Sequence, residues 1–292
     1  MRGTYARGVP TESAEILLDD PVFGDLVLDA VVAGADDGEP VLLLHGWPQT
    51  ALSWSHVIPP LASSGCRVVA VDQRGYSPRA RPTEVAAYTI DALVADAAGI
   101  IESLGWASAH VVGHDWGAAV GWNLAARRPE LVRSLTALSV PHPRALQEAF
   151  RANDGQREMS EYLTFFRTAP AAAAKVLLRD DAVALRTVYG GHVHASDVDA
   201  YVEHFGEDAA MEAALSWYAA MGLGSDADTP DVSVPTTFVW GSEDVAIGET
   251  AALACAGHCT GPYEFRALPG RSHWLPDEDP DAVVDAILAR VG

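Results

Sequence analysis

Between about residues 14 and 140, short apolar runs rich in β-branched residues alternate with longer Ala- and Leu-rich helical patterns. VLLL (41–44), CRVVAVD (66–72), AHVVGHD (109–115) and SLTALSV (134–140) are short, apolar throughout and bounded by Gly, Pro or Asp, so they read as strands buried on both faces. Between them, TIDALVADAAGIIESLG sets Ile90, Leu93, Val94, Ala97, Ile101 and Leu104 at helical spacing and stops at Gly105, a usual helix-ending residue. Such alternation buries both faces of the strands only in a mostly parallel sheet covered by helices on each side. AEILL and LVLDAVV near the N-terminus are expected to give that sheet an antiparallel start.

After Val140 the pattern changes. From PHPRALQEAF to about Val232 the chain is rich in Ala, Tyr, Phe and Leu at helical periods and has no convincing strand. TTFVWG (236–241) and EFRALPG (264–270) then restore strands, and DPDAVVDAILARV is a final amphipathic helix capped near Asp279 with Pro280 in its first turn. The 292 residues are about twice a common domain length of roughly 150. One α/β core, residues 1–141 and 233–292, interrupted by a helical cap at 142–232, is the most economical division.

Charge narrows the possible partners. Nineteen Lys and Arg against 40 Asp and Glu give a net charge of −21, a field that repels phosphate backbones and anionic lipid, so neither nucleic acid nor a membrane surface is expected as a partner. The start of the chain has no apolar signal core after its arginines, and no run approaches the ~18 apolar residues of a membrane span. Three cysteines, Cys66, Cys255 and Cys259, form no disulfide framework. A cytoplasmic protein, monomeric or homodimeric, is expected.

The chemistry is concentrated at strand ends. Gly113-His114-Asp115-Trp116-Gly117 is a strand-to-helix turn with glycines on either side of its tip, the G-x-nucleophile-x-G elbow. Here the tip is Asp. A carboxylate is already anionic and suits displacement at a saturated carbon, which leaves an alkyl-enzyme ester. An Asp acting only as a helix N-cap explains neither glycine. Asp244 follows TTFVWG, and His273 follows EFRALPG, so nucleophile, acid and base fall in the chain order of an α/β-hydrolase. Asp244 would orient His273, and His273 would activate water. Glu243 is the rival acid.

His45-Gly46-Trp47-Pro48, directly after VLLL, resembles the HGxP oxyanion-hole motif, which implies that the N–H groups of Trp47 and Trp116 converge on one oxygen. Together these pieces resemble the aspartate-nucleophile branch of the α/β-hydrolase superfamily, whose members include epoxide hydrolases, haloalkane dehalogenases and fluoroacetate dehalogenases. The resemblance spans essentially the whole chain outside the cap. Gly-His-Asp-Trp-Gly and the strand exit Asp72-Gln-Arg-Gly-Tyr76 are most similar to the soluble epoxide hydrolases.

Leaving-group chemistry separates the branches. Opening an epoxide generates an alkoxide that needs an acid protonated at neutral pH, and Tyr, with a reference pKa of ~10, fits. The resemblance implies two cap tyrosines, and Tyr162 and Tyr218 stand in matching contexts. A halide needs N–H donors instead, which Trp116 and Trp47 could supply. Arginines that would hold a carboxylate substrate are missing beside Asp115, where Trp116, Ala118 and Ala119 stand. The implied activity is therefore opening of an apolar or aromatic epoxide to a vicinal diol, with water as co-substrate and no cofactor or metal. A haloalkane dehalogenase is the alternative, and a non-catalytic ligand-binding or biosynthetic accessory protein the third reading. Phe166 and Trp217, with Phe165 and the two tryptophans of the hole, are expected to line a dry pocket. His45 is placed with these substrate-side residues, although structural hydrogen bonding competes as a role for both His45 and His114. His142 marks the entry to the cap as a stiff hinge or pocket wall. Gly191-His192-Val193-His194 and Cys255-Ala-Gly-His258-Cys259 lack the further ligands of a metal site.

Overall fold

The computed structural model describes residues 10–152, 155–224 and 228–292. Residues 1–9 of the expected core, and 153–154 and 225–227 of the expected cap, lie outside the described residues. The chain opens with β1 (Thr11–Leu18), β2 (Leu26–Ala33) and β3 (Glu39–Leu44), followed by α1 (Ile58–Ser63), β4 (Cys66–Val71), α2 (Ile90–Ser103), β5 (Ala109–His114), α3 (Trp116–Arg127) and β6 (Val132–Leu138). Among the described residues six helices come next: α4 (Pro143–Ala152), α5 (Gln156–Met159), α6 (Tyr162–Thr168), α7 (Pro170–Val188), α8 (Ala195–His204) and α9 (Asp208–Ala219). The chain then returns to β7 (Thr236–Gly241), α10 (Glu249–Ala254), β8 (Tyr263–Leu268), α11 (Leu275–Glu278) and α12 (Pro280–Val291).

The strands form one sheet in the order β1-β2-β4-β3-β5-β6-β7-β8. β1 pairs antiparallel with β2, and β2 with β4; from β4 to β8 every pairing is parallel. Alternate residues of the central strands enter opposite cores. Leu42, Leu44, Val69, Val71 and Val111 pack with α2 and α3 on one face, whereas Val41, Leu43, Val68, Ala70 and Val112 pack with α1 and α12 on the other. That two-sided burial is why these strands read as unbroken apolar runs. The expected strand 134–140 begins two residues earlier and stops at Leu138, because Ser139 turns the chain with φ +66°. Asp279 caps α12 by accepting from the Ala282 N–H at 3.2 Å.

Parallel strands place all their carboxyl ends on one edge, where ligand sites of open α/β sheets form. The residues after β3, β5, β7 and β8 meet there, beneath the helices that fall between β6 and β7. Among the described residues no helix is long and apolar enough to cross a membrane.

Candidate active site

The turn from β5 into α3 forces Asp115 into φ +51°, ψ −117°. Such a backbone costs of order 1–3 kcal/mol for a residue with a side chain and persists only where its surroundings hold it. Two glycines let those surroundings close in. A Cβ on Gly117 would run into the Leu44 carbonyl at the end of β3, and one on Gly46 would overlap the Asp115 side chain. Without those atoms the loop after β3 lies directly against the carboxylate. The N–H of Trp47 donates to Asp115 Oδ1 at 2.7 Å, and the N–H of Trp116 also bonds this carboxylate. Burial alone would raise the Asp115 pKa, but His273, His114 and the Trp116 N–H outweigh it and leave the carboxyl below its usual range.

Asp244 lies in the turn after β7 with its side chain fully enclosed. Its Oδ1 accepts from the N–H groups of Ala246 (2.8 Å) and Ile247 (3.0 Å), and its Oδ2 is 2.8 Å from His273 Nδ1. Glu243, the rival acid, is exposed, and it is Asp244 that meets the imidazole. His273 Nε2 is 3.5 Å from Asp115 Oδ2. The His273 carbonyl accepts from Ser139 Oγ at 2.7 Å and lies 2.8 Å from His114 Nε2, which fixes the loop after β8. Burial would depress the His273 pKa; the charges and hydrogen bonds of Asp244 and Asp115 overcome it and carry it up to about 10. The imidazole is therefore held as a cation between two carboxylates.

Asp115 opens into a cavity of about 240 Å³. Tyr162, from the start of α6, and Tyr218, from the end of α9, both line it. Tyr218 is buried and its hydroxyl is hydrogen-bonded to the side chain of Trp116, whose indole N–H is a pure donor. Tyr162 is 41% exposed. Desolvation, reinforced by the charge of Asp115, pushes both phenols above their ordinary value, so both stay protonated. Trp217 also lines the cavity, meets Trp116 edge-on at 5.5 Å and donates its indole N–H to the Arg74 carbonyl at 2.8 Å.

Four residues expected on the pocket wall do not line it: His45, Trp47, Phe165, which is exposed, and Phe166. His45 is fully buried behind it: Nδ1 is 3.0 Å from the Gly46 carbonyl, and Nε2 accepts from the Gln73 N–H at 3.2 Å. Burial takes its pKa to about 3, so the ring is a neutral prop for the loop. Phe166 sits one layer back, packed edge-on against Trp47 (4.9 Å), Tyr218 (5.3 Å) and Tyr162 (5.4 Å). His142 is likewise buried, stacked on His258, while its neighbours Pro141 and Pro143 form wall. Residues not anticipated from sequence include Ala119 and Asn123, one and two turns along α3 from Asp115, and Leu146 and Phe150, spaced i, i+4 on α4. Helical periodicity counted from Asp115 would have found the first pair.

Residues 39–280 match the family described as alpha/beta hydrolase fold, and the chain belongs to that family. Within it, the relatives include an AB hydrolase superfamily protein of Bacillus subtilis, 34% identical over 90% of this chain and 93% of its own. Epoxide hydrolase A of Mycobacterium tuberculosis is 33% identical over 88% of this chain and 92% of its own. Among solved structures, a mutant epoxide hydrolase from Bacillus megaterium, complexed with a naphthyloxy-propanediol product, superposes with a TM-score of 0.80 at 28% identity, covering 91% of this chain and 97% of that one.

Proposed function

We propose that this chain is an epoxide hydrolase that opens an apolar or aromatic epoxide to a vicinal diol through a covalent ester on Asp115. The single observation that carries the reading is that Asp115, Tyr162 and Tyr218 line one largely apolar cavity while the His273–Asp244 pair stands against the Asp115 carboxylate. The helices between β6 and β7, residues 142–232, act as a cap, since they bring both tyrosines over the nucleophile.

In the first half-reaction an Asp115 carboxylate oxygen attacks an epoxide carbon. The C–O bond of the ring breaks, and Tyr162 and Tyr218 donate hydrogen bonds, with one proton passing to the departing alkoxide. Proton transfer is downhill because an alkoxide is more basic than either phenolate. In the second, the ester has removed the Asp115 charge, so one of the two carboxylates that raise the His273 pKa is gone. The imidazolium then gives up its proton, which restores the tyrosine that protonated the alkoxide, and the neutral imidazole takes a proton from water as that water attacks the ester carbonyl. The developing oxyanion is bound where the Trp47 and Trp116 N–H groups already hold the resting carboxylate. Asp244 stabilises the imidazolium that forms.

Two features disfavour the haloalkane dehalogenase alternative. The Trp116 indole is engaged with the Tyr218 hydroxyl, and the Trp47 ring packs against Phe166 and Tyr218 outside the cavity lining. The naphthyloxy-propanediol held by the Bacillus megaterium relative supports an aryl-bearing substrate. The test is incubation with styrene oxide and an aryl glycidyl ether, with product analysis by chromatography. Diol is expected; halide release from bromoalkanes without diol formation from epoxides would transfer the assignment to the alternative.

A further inference from the structure

Gln156, on the short helix α5 of the cap, is 2% exposed, and its amide reaches across to the turn that follows β7. Oε1 accepts from the Gly248 N–H at 2.9 Å, while Nε2 donates to the Ala246 carbonyl at 2.7 Å and to Ser160 Oγ at 3.1 Å. The orientation of the amide is set by its partners, since an N–H must face the Ala246 carbonyl and a C=O the Gly248 N–H. The same turn cages the catalytic acid: Asp244 Oδ1 takes the N–H groups of Ala246 and Ile247. Residues 246–248 are thus held from the core side by Asp244 and from the cap side by Gln156. Ile247 is pinned again where its carbonyl accepts from the Trp240 indole at 3.0 Å.

We infer that Gln156 is a positioning residue for the second half-reaction: by fixing the 246–248 turn it keeps Asp244 aligned on His273, and so makes the strength of the base depend on the seated cap. This rests on the assignment of Asp244 and His273 made above. An apolar side chain of similar length would leave the Ala246 carbonyl and the Gly248 N–H without their partner. A turn in that state relieves itself by rotating its peptides. Ala246 and Ile247 N–H groups then leave Asp244 Oδ1, and the carboxylate loses its fixed aim at Nδ1. Ser160, on the other side of the amide, lies two residues before Tyr162, so the same clamp joins the acid turn to a tyrosine-bearing stretch of the cap.

Q156M tests this, with Q156N as the second variant should the first not fold. The primary readout is NMR of 15N-histidine-labelled protein, following the His273 titration and the Nδ1 proton shared with Asp244. In the folded variant His273 is expected to titrate lower, towards an ordinary histidine, and the Nδ1 proton signal to broaden. With styrene oxide in rapid-quench experiments, ester hydrolysis is expected to slow by about ten- to a hundredfold, while ester formation stays within about threefold. A folded Q156M or Q156N protein that keeps the wild-type His273 titration and a sharp Nδ1 signal overturns the inference, whatever its melting temperature. The NMR readout needs no turnover, so it is separate from failure of the epoxide hydrolase reading, in which the wild-type protein forms neither ester nor diol.

Discussion

Nε2 of His273 stands 3.5 Å from Oδ2 of Asp115, while Nδ1 of the same ring stands 2.8 Å from Oδ2 of Asp244. One imidazole thus bridges two carboxylates, and in the proposed cycle the loss of charge on Asp115 is what frees His273 to change its own between the two halves. The distance to Asp115 leaves its attacking oxygen without a tight hydrogen bond to the base. The distance to Asp244 is that of a charge-assisted bond maintained throughout.

Removal of either end should divide the cycle. D115A is expected to form no ester and no diol. H273Q keeps the nucleophile but has no base, so it should accumulate about one equivalent of alkylated enzyme per site. Intact-protein mass spectrometry after mixing with styrene oxide checks both: the adduct mass should appear with H273Q and be missing with D115A. An adduct on D115A would show that another residue is the nucleophile.

The elevated His273 pKa has a consequence for stability with a definite sign. The group titrates near 6.5 when unperturbed and at about 10 in the folded protein, so the folded state binds its proton more tightly. Its contribution is fully present below 6.5 and fades as pH rises through 10. The difference in melting temperature between the wild-type protein and H273Q should therefore shrink steadily from pH 6.5 to 10. A difference that stayed flat over this interval would mean that His273 is neutral in the resting site.

The tyrosines should act on ester formation alone. Positioned general acids contribute ~10²–10⁴ in rate, so Y162F and Y218F should each slow alkylation by about ten- to a hundredfold and the double replacement by about 10³ or more. Decay of a preformed ester should change little. Rapid-quench measurements of the two rate constants separate these effects. Equal slowing of both steps in Y218F would instead point to collapse of the aromatic wall around Trp116.

Much of the site was legible in the sequence because the elbow, the HGWP loop and the two later strand exits each combine a strand with a turn of restricted backbone. Gly117 and Gly46 are informative as letters since they mark where two backbones or side chains must touch. Ring direction is another matter. His45 sits within the loop motif, yet both of its nitrogens serve backbone groups, and nothing in the local sequence specifies that. Phe166 follows Tyr162 by four residues and shares its helix face, but the face is deep enough for one ring to stand behind the other. Gln156 left no readable signal at all: two of its partners are main-chain atoms about ninety residues further on, brought close only by the packing of α5 against the turn after β7.

Arg74, in the Asp72-Gln-Arg-Gly-Tyr76 strand exit, joins stability to the site. Its side chain is 2% exposed and forms a two-bonded pair with Asp96 of α2 (2.7 and 2.5 Å), plus a bond to Asp20 at 2.9 Å. Burial dominates at Asp96, whose carboxyl titrates above its usual range in spite of the guanidinium beside it. Removing the cation alone leaves an uncompensated buried carboxylate, so R74M should lose about 3–5 kcal/mol of unfolding free energy. Replacing both partners with apolar groups of similar volume removes that penalty, and R74M/D96L should recover most of the loss. Urea unfolding at neutral pH measures both. The Trp217 indole bonds the Arg74 main-chain carbonyl, not its side chain, so the cavity wall should survive in the double variant and diol formation should stay within about threefold of wild type. If the double variant were no more stable than R74M, the loss would lie not in the stranded charge of Asp96 but in the packing of the Arg74 stem and in Asp20 and the Ala87 carbonyl, which both variants leave without the guanidinium.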